Sequence, residues 1–265
     1  MHIVEQLIAE RAPKLVANPR LFNFVKPLLY RMLAYDAAVF LADTVAHKTG
    51  HQAFDFVTDH INPRTAVKGL YHLPEKGRCM IISNHPTGLA DGIALYQSIR
   101  DRRPDHYFLG NADALRVMPK AGDLIIPVEW VENKREHKKS RQTLIDIKNA
   151  FENERCVVIF PSGRLAGMGL RGQFEKPWEN SAAMLARKYK APVIPLHMQA
   201  RNSWLYYFFS WTSPELRDIT LFQELLNKKG RPFRMTFGDM IDPATLPKNA
   251  EEATSIIRKR VFSLS

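Results

Sequence analysis

From residue 66 onward the sequence alternates short, uninterrupted apolar runs with longer amphipathic ones, and few folds accommodate that pattern. Runs at 80–83, 107–109, 124–128, 157–160, 193–196 and 233–237 predict strands, and the stretches 92–102, 141–153, 181–189 and 214–228 predict helices. Repeated strand–helix alternation predicts an α/β fold with a mostly parallel central sheet flanked by helices. In such sheets, ligands bind beyond the carboxyl ends of the strands. No internal repeat, low-complexity segment or clear linker interrupts the pattern.

Residues 1–62 read as helical. Leu21, Phe22, Val25, Leu28, Leu29, Met32 and Leu33 recur at one-turn spacing, with Arg20, Lys26 and Arg31 interspersed. Pro27 is expected to kink or divide this helix. Two readings are open: a helix packed on the protein's own core, or a basic amphipathic segment lying in a membrane interface. The division that follows is an N-terminal amphipathic helical segment over 1–62 and an α/β domain over 63–265.

Composition narrows the function classes. At 45 % hydrophobic and 25 % charged residues, the 265-residue chain is neither fibrous nor mostly disordered. Its formal net charge of +11 calls for an anionic partner: nucleic acid, an acidic protein, a phosphate compound or an anionic membrane surface. No helix-turn-helix, zinc-finger or RNA-binding signature is visible, so nucleic acid is not expected. The two cysteines, Cys79 and Cys156, head apolar runs and read as core residues of a reduced, cytosolic protein. They have no metal-ligand spacing, and no metal is expected. The charged first fifteen residues do not read as a secretory signal. The longest weakly charged stretch, 28–46, is broken by Arg31, Asp36 and Asp43, which argues against a spanning helix.

Two loops carry the chemistry. Ser83-Asn84-His85-Pro86-Thr87-Gly88-Leu89-Ala90-Asp91-Gly92 follows a predicted strand and precedes a predicted helix. Pro86, Gly88 and Gly92 permit a tight turn. His85 and Asp91 are six positions apart. On a regular helix that separation is about 240° of rotation, so pairing requires the loop to fold back. If they pair, Asp91 orients the imidazole and leaves its other nitrogen free to take a proton. The alternative is that Asp91 merely caps the next helix. The second loop, Phe160-Pro161-Ser162-Gly163-Arg164-Leu165-Ala166-Gly167-Met168-Gly169, also follows a strand. Its backbone N–H groups and its arginine suit an anion, although an ordinary glycine turn has the same composition.

Taken together, the two loops resemble the phospholipid/glycerol acyltransferase superfamily, known for a His-x4-Asp motif and a later Phe-Pro-Glu-Gly block. Asn84 to Gly92 looks like the first motif, Phe160 to Arg164 like the third, and Ala191-Pro192-Val193-Ile194-Pro195-Leu196 like the fourth. The resemblance runs from about residue 66 to 240. Three features depart from the usual pattern. The spacing is His-x5-Asp, Ser162 stands in the place of the glutamate, and the second-motif region Gly122 to Val128 has no arginine. These departures, with Trp178 and Arg201-Asn202-Ser203, are similar to the bacterial branch of hemolysin-like and ornithine-lipid acyltransferases.

The resemblance implies a glycerolipid-acyltransferase-like fold that moves a fatty acyl group from a thioester to a hydroxyl or amine. It implies His85 as general base with Asp91 orienting it. It also implies substrate contacts from Asn84, Thr87, Gly88, Pro161, Ser162, Gly163, Arg164, Arg201 and Asn202. No cofactor beyond the co-substrate is implied, which is acyl-acyl-carrier-protein or acyl-coenzyme A. The acceptor is a lysophospholipid or glycerolipid, or alternatively the amine of an ornithine-lipid-type pathway. The implied place is peripheral, on an anionic membrane at the cytoplasmic side of a bacterial inner membrane. A membrane-binding scaffold of the same fold without catalysis is the competing class. A Ser-His-Asp hydrolase is disfavoured because no Gly-x-Ser-x-Gly elbow is present.

The basic run Lys134-Arg135-Glu136-His137-Lys138-Lys139-Ser140-Arg141 is read as a solvated loop or as a dock for the carrier protein or anionic lipid. The aromatic run 204–211 is read as core, or as a membrane-boundary and acyl-path surface.

Overall fold

The computed structural model describes residues 1–128, 137–169 and 172–265. Its centre is a seven-stranded sheet in the order β1-β9-β8-β2-β5-β3-β4. The strands are β1 (Arg64–Lys68), β2 (Cys79–Ser83), β3 (Tyr107–Asn111), β4 (Ile125–Val128), β5 (Cys156–Ile159), β8 (Val193–Gln199) and β9 (Pro232–Phe237). All neighbouring pairs are parallel except β8 and β9. A short antiparallel hairpin, β6 (Gly167–Gly169) with β7 (Gly172–Phe174), stands apart from it.

Alternate residues of the central strands feed two cores, because successive side chains point to opposite faces. Cys79, Ile81 and Val158 pack with α5 (Gly50–Ile61), α6 (Leu89–Ile99) and α12 (Leu221–Leu226). Met80, Ile82, Val157 and Ile159 pack with α8 (His137–Glu152), α9 (Ser181–Lys188) and α13 (Ala250–Phe262). Burial on both faces is why these strands show as unbroken apolar runs.

The N-terminal residues form α1 (Ile3–Arg11), α2 (Pro13–Val16), α3 (Pro19–Met32) and α4 (Tyr35–Ala46). Val4, Ile8, Ala12, Leu29, Leu33, Ala38 and Ala42 make a third cluster with Ile219 of α11 (Pro214–Ile219). Phe24 and Leu28 on α3 stay exposed. Contrary to expectation, α3 runs through Pro27 undivided. The carbonyl that Pro27 cannot bond belongs to Asn23, which is exposed, so it is not left unpaired in a dry core. The expected single helix over 214–228 is instead α11 and α12, parted at Thr220, whose hydroxyl donates to the Arg217 carbonyl at 2.6 Å. The aromatic run is a helix, α10 (Trp204–Thr212). The remaining short helix is α7 (Asp113–Val117). Of the basic run, 134–136 lie outside the described residues.

One core group makes stability pH-dependent. His106 is fully buried, with Nδ1 2.5 Å from the Arg103 carbonyl oxygen. A carbonyl only accepts, so Nδ1 carries the proton, and Nε2 has no partner. Burial pulls its pKa from 6.5 down to about 4. The unfolded chain therefore binds the extra proton first. Its contribution, about 3 kcal/mol, is complete above pH 6.5 and is lost as pH falls toward 4. Urea unfolding at stepped pH should show this slope, and His106→Phe should flatten it. Equal slopes in the two proteins would dismiss His106 as the cause.

Candidate active site

The carboxyl ends of β8, β2 and β5 converge where the strand order changes direction, with β3 and β4 to one side and β8 and β9 to the other. That is where an open α/β sheet leaves a crevice. The loop after β2 folds back at Gly88, whose φ is +89°. A side chain there would also meet Leu165 of the β5 loop at 2.8 Å, so glycine is required twice over.

This fold-back delivers Asp91 to His85. Asp91 is the third residue of α6 and wholly buried. Its Oδ2 accepts from the backbone N–H groups of Thr87 and Gly88 at 2.8 and 2.9 Å, and its Oδ1 from the Thr87 hydroxyl at 2.5 Å. The same Oδ2 lies 2.9 Å from Nδ1 of His85. That approach is close but off the line of a full hydrogen bond. Helix capping and imidazole pairing, two alternatives in the sequence, are one arrangement in the structure. The His85 ring stacks on Phe160 at 4.2 Å between centroids and remains 18 % exposed. Its Nε2 has no partner among the described residues.

Other sequence-derived candidates divide into two groups. Some are committed to the protein itself. Asn84 clamps β8, donating to the Met198 carbonyl at 2.8 Å and accepting from the Met198 N–H at 2.7 Å. Thr87 and Gly88 serve Asp91. The Pro161 carbonyl accepts from the Glu179 N–H at 2.9 Å, and the Ser162 hydroxyl donates to the Arg164 carbonyl at 2.8 Å. Gly163, at φ +56°, closes a turn onto Phe160. The second group is open: Arg164 is exposed on the β5 loop, and Arg201 and Asn202 line a cavity of about 1000 Å³ beside Asn84.

Sequence alone did not point to Glu175 or Gln173, and it singled out Tyr207 only as part of the aromatic run. Glu175 accepts the His85 N–H in a short hydrogen bond and the Trp178 indole N–H at 2.6 Å. Burial raises its pKa, and those two donors act against the rise. Gln173 donates to the Pro86 carbonyl and to the Tyr207 hydroxyl, each at 3.2 Å, and that hydroxyl accepts from the Asn202 N–H. The His85 loop is thus braced from the β6–β7 hairpin and from α10. Among the described residues, no group of three or more His, Cys, Asp or Glu is placed to hold a metal ion.

An imidazole backed by a buried carboxylate, at the edge of a large cavity, is an arrangement for removing a proton from a bound hydroxyl or amine. The sequence model of the Acyltransferase family matches residues 64–199, just over half of the chain. The chain belongs to that family. It is therefore an acyltransferase, and both loops described above fall inside the matched span.

Two relatives of this acyltransferase are lyso-glycine lipid O-acyltransferases. The one from Phocaeicola vulgatus is 26 % identical over 81 % of this chain and 77 % of its own. The one from Bacteroides thetaiotaomicron is 23 % identical over 94 % and 92 %. The fold is similar to that of the 1-acyl-sn-glycerophosphate acyltransferase PlsC from Thermotoga maritima. That match has a TM-score of 0.50 and 14 % identity, and covers 97 % of this chain and 96 % of that one.

Proposed function

We propose that this acyltransferase esterifies the hydroxyl of a lyso-lipid with an amino-acid head group of the glycine type, working at a membrane surface. The observation that carries the reading is the His85–Asp91 contact beside a cavity lined with arginines. The two relatives named for the same lipid class support it.

In this scheme Nε2 of His85 takes the acceptor's hydroxyl proton as its oxygen attacks the thioester carbonyl. The buried Asp91 carboxylate stabilises the imidazolium. The tetrahedral intermediate collapses, the carbon–sulfur bond breaks, and the thiolate recovers the proton from His85. Arg164, exposed on the adjoining loop, would hold a phosphate of the donor, acyl-acyl-carrier-protein or acyl-coenzyme A. The backbone N–H groups of Thr87, Gly88, Gly163 and Ala166 are already bonded within the protein. The oxyanion must therefore find other donors.

The membrane reading rests on faces that the fold leaves uncovered. Trp204, Phe208 and Trp211 share one side of α10 and are exposed, while Tyr207, at the border of that stripe, is buried and reaches the site. No helix among the described residues is long and apolar enough to cross a membrane. We read the contact as peripheral, through the exposed aromatic side of α10, and the cytoplasmic side of a bacterial inner membrane would supply both anionic lipid and acyl donor.

The test offers labelled acyl-acyl-carrier-protein and acyl-coenzyme A with lyso-glycine lipid, lysophosphatidic acid and lyso-ornithine lipid in anionic vesicles. Ester product from the lyso-glycine lipid at the highest kcat/KM is the expected result. A preference for lysophosphatidic acid, or amide product from an amine acceptor, would overturn the assignment.

A further inference from the structure

The antiparallel β9 changes what stands at the carboxyl edge of the sheet. In register, Arg234 pairs with Gln199, so the start of β9 lies beside the end of β8. This brings Arg231 and Arg234 into the same cavity wall as Arg201 and Asn202. None of the three arginine side chains makes a hydrogen bond or ion pair among the described residues. Elsewhere Arg11, Arg78, Arg100, Arg102, Arg103 and Arg116 are all paired with carboxylates.

The floor is equally unsatisfied. Asn202 is only 7 % exposed, yet its side-chain oxygen and nitrogen have no hydrogen-bond partner. An amide hidden in this way costs stability unless something occupies it. Glu175 is the one side-chain carboxylate on the lining, and His85 and Trp178 already engage it. Lys228, also on the lining, is held by Glu224 at 2.9 Å. Among the described residues the cavity therefore offers three free guanidiniums and one free amide, with no free side-chain carboxylate.

We infer that this cavity is the head-group subsite, in which Arg201, Arg231, Arg234 and Asn202 bind the carboxylate of the acceptor lipid. The inference rests on the reading proposed above and adds which residues recognise the acceptor. The cavity is joined to the His85 loop through Gln173, which bonds the Pro86 carbonyl. An acceptor whose hydroxyl sat on the acyl chain close to its amide would carry its carboxylate only a few bonds from that hydroxyl, which fits that adjacency. The phosphates of a coenzyme A donor sit at the far end of a long pantetheine arm.

The experiment measures kcat and KM for lyso-glycine lipid and for its neutral carboxamide with wild type, Arg231→Gln, Arg234→Gln and Asn202→Ala. Acyl-coenzyme A and acyl-pantetheine serve as alternative donors. Calorimetric binding of a short-chain N-acyl glycine without donor is the companion measurement. Losing a charge-assisted contact costs roughly tenfold to a hundredfold in affinity. The carboxylate acceptor's KM should rise by that factor in the arginine variants, the wild type should prefer carboxylate over carboxamide, and N-acyl glycine binding should weaken in step. Donor KM should not move. If the variants raise the KM for acyl-coenzyme A but not acyl-pantetheine, the cavity is a donor site and the inference fails. It also fails if N-acyl glycine binds all proteins equally, or none. Binding that behaves as expected without any acyl transfer would overturn the proposed reaction and leave the subsite standing.

Discussion

Replacing His85 with alanine is expected to lower kcat by about 10²–10⁴-fold, or roughly 3–5 kcal/mol of barrier, with the acceptor's KM little changed. The size follows from what the hydroxyl lacks. It is a poor nucleophile until its proton leaves, and in the described structure His85 Nε2 is the unpartnered base on the loop that adjoins the cavity. The variant should fold, because His85 is partly exposed and Asp91 keeps three other donors, from Thr87 and Gly88. Asp91→Asn is a poorer test of the chemistry. One amide oxygen cannot replace two carboxylate oxygens that also fix the start of α6. Initial rates at saturating donor, beside a thermal melt matching wild type, would decide it. A variant keeping more than a tenth of wild-type turnover would show that another group removes the proton.

Much of this site can be read from sequence, and the part that cannot has a physical explanation. The strands buried on both faces are legible as apolar runs, and their carboxyl-end loops follow from them. The His85–Asp91 pairing is legible as a possibility, but the fold-back that realises it depends on Gly88 and on contact with Leu165 from a distant loop. β1 is an edge strand whose burial alternates, so Arg64–Lys68 carries no apolar run to betray it. Glu175 arrives by way of a small hairpin of glycine-rich sequence, Gly167–Gly169 and Gly172–Phe174, which has no strand-like composition. Arg231 and Arg234 reach the cavity because β9, with β1 beside it, runs opposite to β8. A sequence showing six apolar runs does not say which of them is reversed.

The second large effect concerns the ion pair beneath the cavity. Lys228 and Glu224 are both nearly inaccessible, at 3 % and 1 % exposure. Burial draws the Lys228 pKa down, and the attraction of Glu224 opposes that draw without cancelling it. Nζ donates to Glu224 Oε2 at 2.9 Å, to the Glu224 carbonyl at 3.0 Å and to Asn227 Oδ1 at 2.7 Å. Glu224 in turn accepts from the Ser203 N–H and hydroxyl, pinning α12 to the residue that caps α10. Lys228→Met leaves that carboxylate buried without its cation, and removing one partner of such a pair typically costs about 3–5 kcal/mol. In a protein of this size each kcal/mol moves the melting temperature by about 2–4 °C, so a drop on the order of 10 °C is expected. Pairing Lys228→Met with Glu224→Gln should recover most of the loss, because glutamine keeps an acceptor for Ser203 and removes the stranded charge. If the single variant melts within 2 °C of wild type, water reaches the pair and its burial is not what holds the Asn202–Ser203 turn against the cavity.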